Sequence, residues 1–307
     1  MSTNFYTILR GETKSLAIVS KNTRLVALQP AGERTPFFMA QTYPHFIDVV
    51  KLIGTERPVL SLIAQKEDQS SQVYSIVLEA AAHLKTILER QPEGPYMLGG
   101  CCSGGIVAYE IAQQLQALGH EVGMLVLFDT PNFFLLPQYS GIQGFLFANL
   151  IRLERTLWGD IPGWLRFKKF TIRQSVRLKH VLSGTNSDVP PEGLPPWKTN
   201  QFDPAPARAA AVLKYRPAPY SGRVLLFKRH RGINSQWRHL GENYGWDEMV
   251  RGGFEVCLFG AASHPEMFES EADRALVAQR LRRCFDDVDA RSAGQISFHR
   301  TSDGCAS

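Results

Sequence analysis

The stretch Tyr96-Met97-Leu98-Gly99-Gly100-Cys101-Cys102-Ser103-Gly104-Gly105 constrains this chain more than any other. A short apolar run enters it, and an amphipathic run, Ile106 to Leu118, leaves it. Four glycines surround the Cys-Cys-Ser centre. The pattern predicts a strand that turns sharply into a helix, with one residue thrust out at the tip. Such a tip residue sits in strained backbone, and a side chain two positions to either side would collide with the strand or the helix. Two frames compete. Centring the turn on Ser103 places Cys101 and Gly105 at the flanking positions, whereas centring it on Cys102 places Gly100 and Gly104 there. The second frame matches fully, so Cys102 is the candidate nucleophile.

The surrounding chain alternates between the two periods that build a layered fold. Leu25-Val26-Ala27-Leu28 and Pro36 to Ala40 read as strands with a glycine-containing turn between them, and Phe46 to Ile53 as a short helix. Pro58 to Ala64 reads as a buried strand. A helix is expected from about Ser71 to Arg90, with Val73, Val77, Ala80, Leu84 and Ile87-Leu88 on one face. Met124 to Phe128, Arg223 to Phe227 and Phe254 to Phe259 are further strands, and a last helix from about Glu271 to Phe285 is expected to turn Ala275, Leu276, Val277 and Leu281 inward. This alternation predicts an α/β fold, a mostly parallel central sheet covered by helices. It breaks between about 132 and 205, where aromatic residues such as Trp158, Trp164, Phe167 and Phe170 mix with basic ones. That segment is expected to be a helical lid inserted into the domain. The domain itself is expected to run from 23 to 287, after a polar leader (1–22) and before a disordered tail (288–307).

Composition narrows the classes. A chain of 307 residues with 44% apolar and 21% charged residues can bury one sizeable core. No apolar run reaches the roughly 18 residues of a membrane span, and the N-terminus has no signal-peptide core, so no membrane association and a cytoplasmic location are expected. The five cysteines (101, 102, 257, 284, 305) show neither metal-ligand spacing nor a disulfide framework, so no metal is expected. Nucleic acid is not expected as a partner, because no recognised binding module accompanies the net charge of +5.

An activated nucleophile needs a base, and the base needs a group that holds its ring. Asp129 closes the strand after the elbow helix, which places it beside the tip at the carboxyl edge of the sheet. His264 follows the last strand among small residues and is the candidate base, with His230 and His239 as competitors. The oxyanion of an acyl intermediate would be held by backbone N–H groups of Ser103 and, from the loop after the second strand, Thr42.

These residues resemble the α/β-hydrolase thioesterases of nonribosomal peptide and polyketide synthesis. The likeness is carried by Gly94 to Gly100, Gly104 to Ala112, Leu127-Phe128-Asp129, Tyr215 to Val224, Gly245-Trp246 and His264 to Phe268. It implies the helical lid, and substrates delivered as thioesters on the phosphopantetheine arm of acyl or peptidyl carrier proteins, with no cofactor bound by the enzyme itself. The chain departs from the family at the tip, where Cys102 replaces the usual serine, and in the oxyanion loop, which reads Gln41-Thr42-Tyr43-Pro44-His45. Within the family a cysteine at the tip occurs in enzymes that shuttle aminoacyl groups between carriers and in some that release products.

Sulfur changes the energetics. A serine converts a thioester into an oxygen ester, downhill, whereas a cysteine exchanges one thioester for another with little free-energy change. A thiol, with an ordinary pKa of about 8.5, also asks less of its base. Transfer of an acyl group between carrier thiols is therefore expected, and a chain with its own Met1 is expected to act in trans. Hydrolytic or product-releasing action on carrier-bound chains is the alternative, and a noncatalytic hydrolase-fold binding protein a third reading. Arg152 to Lys179 carries eight Lys or Arg against Glu154 and Asp160. This is either a solvated helical face or a landing surface for an acidic carrier, with Arg173 and Arg177 as docking candidates.

Overall fold

The apolar runs form one seven-stranded sheet. The structure, a computed structural model, describes residues 25–43, 45–63, 75–132, 134, 211–212, 214–229, 240–260 and 267–294. The strands are β1 (Leu25–Gln29), β2 (Phe37–Ala40), β3 (Val59–Leu62), β4 (Tyr96–Cys101), β5 (Val122–Phe128), β6 (Val224–Arg229) and β7 (Phe254–Phe259). Their order across the sheet is β1-β3-β2-β4-β5-β6-β7. Every neighbouring pair is parallel except β1 with β3. The glycine-containing segment after β1 therefore does not close a hairpin with β2, because β3 lies between them. Parallel pairing needs crossovers, and the helices supply them.

Four helices are described: α1 (Phe46–Ile53), α2 (Ile76–Arg90), α3 (Ser103–Ala117) and α4 (Glu271–Ser292). Helices α2 and α3 pack together over one face of the sheet, α1 and α4 over the other. The central strands are buried on both faces, which is why β2 and β4 read as continuous apolar or glycine runs without alternation, and β3 likewise apart from the buried Ser61. On the α1/α4 side, Phe46 meets Phe128 and Phe268 edge-on, with ring centroids 5.8 and 5.3 Å apart. Such pairs contribute about 0.5–1.5 kcal/mol beyond their area.

Two helices depart from expectation. The inward stripe of α2 is Ile76, Glu79, Ala80, His83, Leu84 and Ile87, while Val77 faces out, 47% exposed. A stripe drawn through apolar residues alone is pulled round by Val77, because it leaves out the buried Glu79–His83 pair one turn apart at 3.6 Å. Expected helical residues 71–74 lie outside the described ones. Helix α4 runs to Ser292, well past Phe285, so residues 288–292 are helical and not part of a tail. Val288 is buried against the sheet, and Asp289 pairs with the buried Arg57, whose guanidinium also stacks on Phe285 at 4.7 Å. Those contacts carry a polar sequence onward as helix. Val277, Ala278, Leu281 and Phe285 form the inward face of α4, whereas Ala275 and Leu276 face solvent.

The expected lid (132–205) lies outside the described residues apart from Asn132 and Phe134, as do the polar leader and residues 295–307. Asn132 is buried: its N–H donates to Tyr244 O at 2.8 Å and its Nδ2 to Gly245 O at 2.9 Å. Among the described residues, no helix is long and apolar enough to cross a membrane.

Candidate active site

The chain from β4 to α3 makes the turn that the glycines predict. Cys101 ends the strand, Ser103 begins the helix, and Cys102 alone stands between them with φ 52° and ψ −119°. The strained position thus falls on Cys102 and not on Ser103. Holding a residue with a Cβ there costs about 1–3 kcal/mol, which the surroundings must offset. Two hydrogen bonds help: Cys102 N–H donates to Phe128 O at 2.9 Å, and Gly105 N–H to Cys102 O at 3.0 Å. A Cβ on Gly100 would overlap the Gly104 carbonyl, and one on Gly104 would overlap the carbonyl of Ala40. Both clashes are with backbone, which cannot swing away. Gly104→Ala is therefore expected to destabilise the fold by about 1–3 kcal/mol, as overpacking does. Alanine at Gly260, where a Cβ would meet only the Asp273 carboxylate at 3.6–3.7 Å, costs less; equal melting temperatures for the two variants would contradict this account.

The two adjacent cysteines differ in kind. Cys101 is fully buried, and that burial, then Cys102 and Asp129, pushes its thiol well above the usual range. Cys102 is partly exposed. Because its folded-state pKa is raised, Cys101 stays a protonated thiol through neutral pH. Brief iodoacetamide treatment of the native protein is expected to label Cys102 and spare Cys101 until denaturant is added; equal labelling of the two would contradict this packing.

Strand register lines the site up along one edge of the sheet. Ala40 pairs with Gly100, Cys101 with Phe128, and Phe128 with Phe227. The next residues therefore place Gln41 beside Cys101, and Cys102 beside Asp129, at the carboxyl ends of β2, β4 and β5, and Arg229 ends β6 beside Asp129. Among the described residues the non-glycine positions with positive φ are Gln41 (55°), Cys102 (52°), Asp129 (43°) and Tyr244 (53°). Three sit at that edge, and the fourth reaches it through its side chain. Among the described residues, the positive-φ strain of non-glycine residues is thus gathered at one place.

Asp129 is buried and fixed. Its Oδ2 lies 2.9 Å from Arg229 Nε, and its Oδ1 accepts from Tyr244 Oη at 3.1 Å. Its N–H donates to Phe227 O at 2.7 Å. Burial, reinforced by the Asp129 carboxylate, pushes the Tyr244 phenol up, so it remains a donor. Sequence reasoning missed Arg229 and Tyr244. The signal for Arg229 was present: an arginine at the end of a largely apolar strand needs an anionic partner, because an unpaired buried charge is costly.

The remaining expected residues divide. Ser103 is buried, and its hydroxyl donates to Gln41 Oε1 at 2.8 Å. Thr42 is buried next to Gln41, its hydroxyl 3.4 Å from Ser61 Oγ. His264 lies outside the described residues, as do His230, His239, Arg173 and Arg177. Strand β7, five residues before His264, ends at the same edge of the sheet. Among the described residues, no group of three His, Cys, Asp or Glu side chains is placed to hold a metal.

Comparison with known proteins agrees with this layout. A family model described as Thioesterase domain matches residues 55–138, which contain the elbow and Asp129. A nonribosomal peptide synthetase of Aspergillus terreus is 35% identical over 112 residues, covering 35% of this chain and 12% of that protein. An atromentin synthetase of Paxillus involutus is 32% identical over 112 residues, with the same coverage. The similarity thus spans about an eighth of the length of these relatives. Among solved structures, a four-domain nonribosomal peptide synthetase bound to AMP and glycine superposes with a TM-score of 0.58 at 21% identity, over 90% of this chain and 21% of that one. The NocB thioesterase domain, in covalent complex with a fluorophosphonate nocardicin G analogue, superposes with a TM-score of 0.55 at 22% identity, over 85% of this chain and 98% of that one. These structures share the fold, an α/β-hydrolase sheet. The chain thus carries, over residues 55–138, a stretch similar to the Thioesterase domain that contains the elbow and Asp129, set in an α/β-hydrolase fold.

Proposed function

We propose that this protein transfers acyl or aminoacyl groups between phosphopantetheine thiols of carrier proteins, in nonribosomal peptide or polyketide synthesis, through a thioester on Cys102. The observation that carries the reading is Cys102 itself, a partly exposed thiol in strained backbone at the carboxyl edge of the sheet, next to the fixed carboxylate of Asp129. In the first half-reaction Cys102 Sγ attacks the thioester carbonyl while His264 takes the thiol proton. Asp129 orients the imidazole, and the backbone N–H groups of Ser103 and Thr42 receive the oxyanion. The intermediate collapses, the donor's C–S bond breaks, and His264 returns the proton to the departing thiol. The second half-reaction runs the same steps backwards with the acceptor's thiol as attacker. No cofactor is bound by the enzyme; the phosphopantetheine arm arrives as part of the substrate.

Supplying an acylated donor carrier and an empty acceptor carrier separates transfer from hydrolysis. Appearance of the acyl group on the acceptor is expected. Free acid as the sole product would establish the alternative, hydrolytic or product-releasing action. That alternative is favoured by one observation: the relatives matched are synthetases of which this similarity is a small part.

The basic stretch Arg152 to Lys179 would receive the acidic carrier, with the lid (132–205) forming the acyl pocket in a domain that runs from residue 23 to the end of α4. Reversing charge at Arg173 and Arg177 is expected to weaken carrier turnover about tenfold or more while sparing a small thioester analogue, since charge complementarity acts on encounter. Equal losses on both substrates would discredit the docking surface.

A further inference from the structure

We infer that Gln41 is a side-chain oxyanion donor: its amide, held by the Ser103 hydroxyl, meets the carbonyl oxygen of the acyl group as it bonds to Cys102. The inference rests on the reading of Cys102 as nucleophile and adds a residue to its machinery.

Gln41 wraps the elbow. It directly follows β2, the strand next to β4 on the side away from Asp129. Its carbonyl accepts from Cys101 N–H at 3.4 Å, and its Oε1 accepts from Ser103 Oγ at 2.8 Å. Its Cβ lies 2.6 Å from where a Cβ on residue 104 would stand, a gap left open by Gly104. Gln41 therefore touches the residues before and after Cys102, and the first turn of α3 beyond them. Ser103 and Thr42 are buried on either side of it, whereas Gln41 is only partly buried and remains accessible.

A carboxamide has one acceptor oxygen and two N–H donors. The Ser103 bond engages the oxygen and restrains the rotation of the amide, so its N–H groups are left to meet the acyl oxygen. When Cys102 Sγ bonds to the carbonyl carbon, the π pair moves onto oxygen. Ser103 N–H approaches that oxygen from the helix, and Gln41 Nε2 from the β2 side. The charge is dispersed until the pair returns and the donor's C–S bond breaks. A simple tie between loop and helix would not need a side chain at φ 55°, where glycine is at ease. A residue kept in that conformation keeps the amide in place.

The experiment compares two reactions of the same sulfur in the full chain. Acylation by hexanoyl-N-acetylcysteamine thioester passes through an oxyanion; alkylation by iodoacetamide needs the thiolate but forms none. Gln41→Ala is expected to slow acylation about tenfold or more, and Gln41→Glu, which turns an acceptor toward the developing charge, about a hundredfold. Alkylation of Cys102 is expected to stay within about twofold of wild type in both. Unchanged acylation, or parallel loss of both reactions, would overturn the inference, the latter by showing that Gln41 only supports the elbow. A wild-type protein that is alkylated at Cys102 but takes no acyl group there would instead refute Cys102 as nucleophile, and the inference with it.

Discussion

Cys102→Ala is expected to abolish acyl-enzyme formation and to lower thioester turnover by about three to six orders of magnitude, the range seen when a covalent nucleophile is removed. The effect is chemical, because the fold is held by the elbow's backbone bonds and glycine contacts, which do not involve the sulfur. Circular dichroism and melting temperature should therefore stay close to wild type. Cys102→Ser sharpens the test. An oxygen ester at the same position is lower in energy than the incoming thioester, so return of the acyl group to a thiol becomes uphill. The serine variant is expected to shift product from acylated acceptor toward free acid or to stall as a stable ester. A serine variant that transfers as well as wild type would show that sulfur at the tip is not the reason for transfer.

Arg229→Met is expected to cost about 3–5 kcal/mol, the penalty for removing one partner of a buried ion pair. For a domain of this size that lowers the melting temperature by about 10 °C. The side chains of Arg229 and Asp129 are only 5% and 2% exposed, so water cannot replace the lost cation. The double variant Arg229→Met with Asp129→Asn removes both charges and is expected to recover much of the loss, a coupling that a double-mutant cycle reads directly. Additive losses would mean that the two residues do not depend on each other. The pair also bears on chemistry. Arg229 and Tyr244 take one direction on each carboxylate oxygen of Asp129 and so fix the plane of the group that orients the base.

Much of this arrangement could be read in the residues, and the limits have physical causes. The elbow was legible because glycine spacing around a strained tip is a steric requirement, and only the Cys102 frame satisfies it. Strands β1 to β7 were legible as short apolar runs between turns. Sheet order was not, because period-two or continuous apolar patterns say which residues are buried and nothing about which strand lies beside which; β3 entering between β1 and β2 is a tertiary choice. The stripe of α2 was misplaced at Val77 because Glu79 and His83 are buried by pairing and not by hydrophobicity. The end of α4 was missed for a similar reason: Asp289 belongs to the helix through Arg57, which lies 232 residues away in sequence. Gln41 carried no composition signal, since its positive φ and its bond to Ser103 arise only when β2 and the elbow meet.

The most direct test of the account is to mix the wild-type protein with an acylated carrier, quench it within one turnover, and map the adduct by intact-protein and peptide mass spectrometry. The account predicts an added acyl mass on the peptide that contains Cys102, lost again when an empty carrier is supplied. An unmodified Cys102 peptide throughout, together with a Cys102→Ala variant that still consumes the thioester, would contradict it.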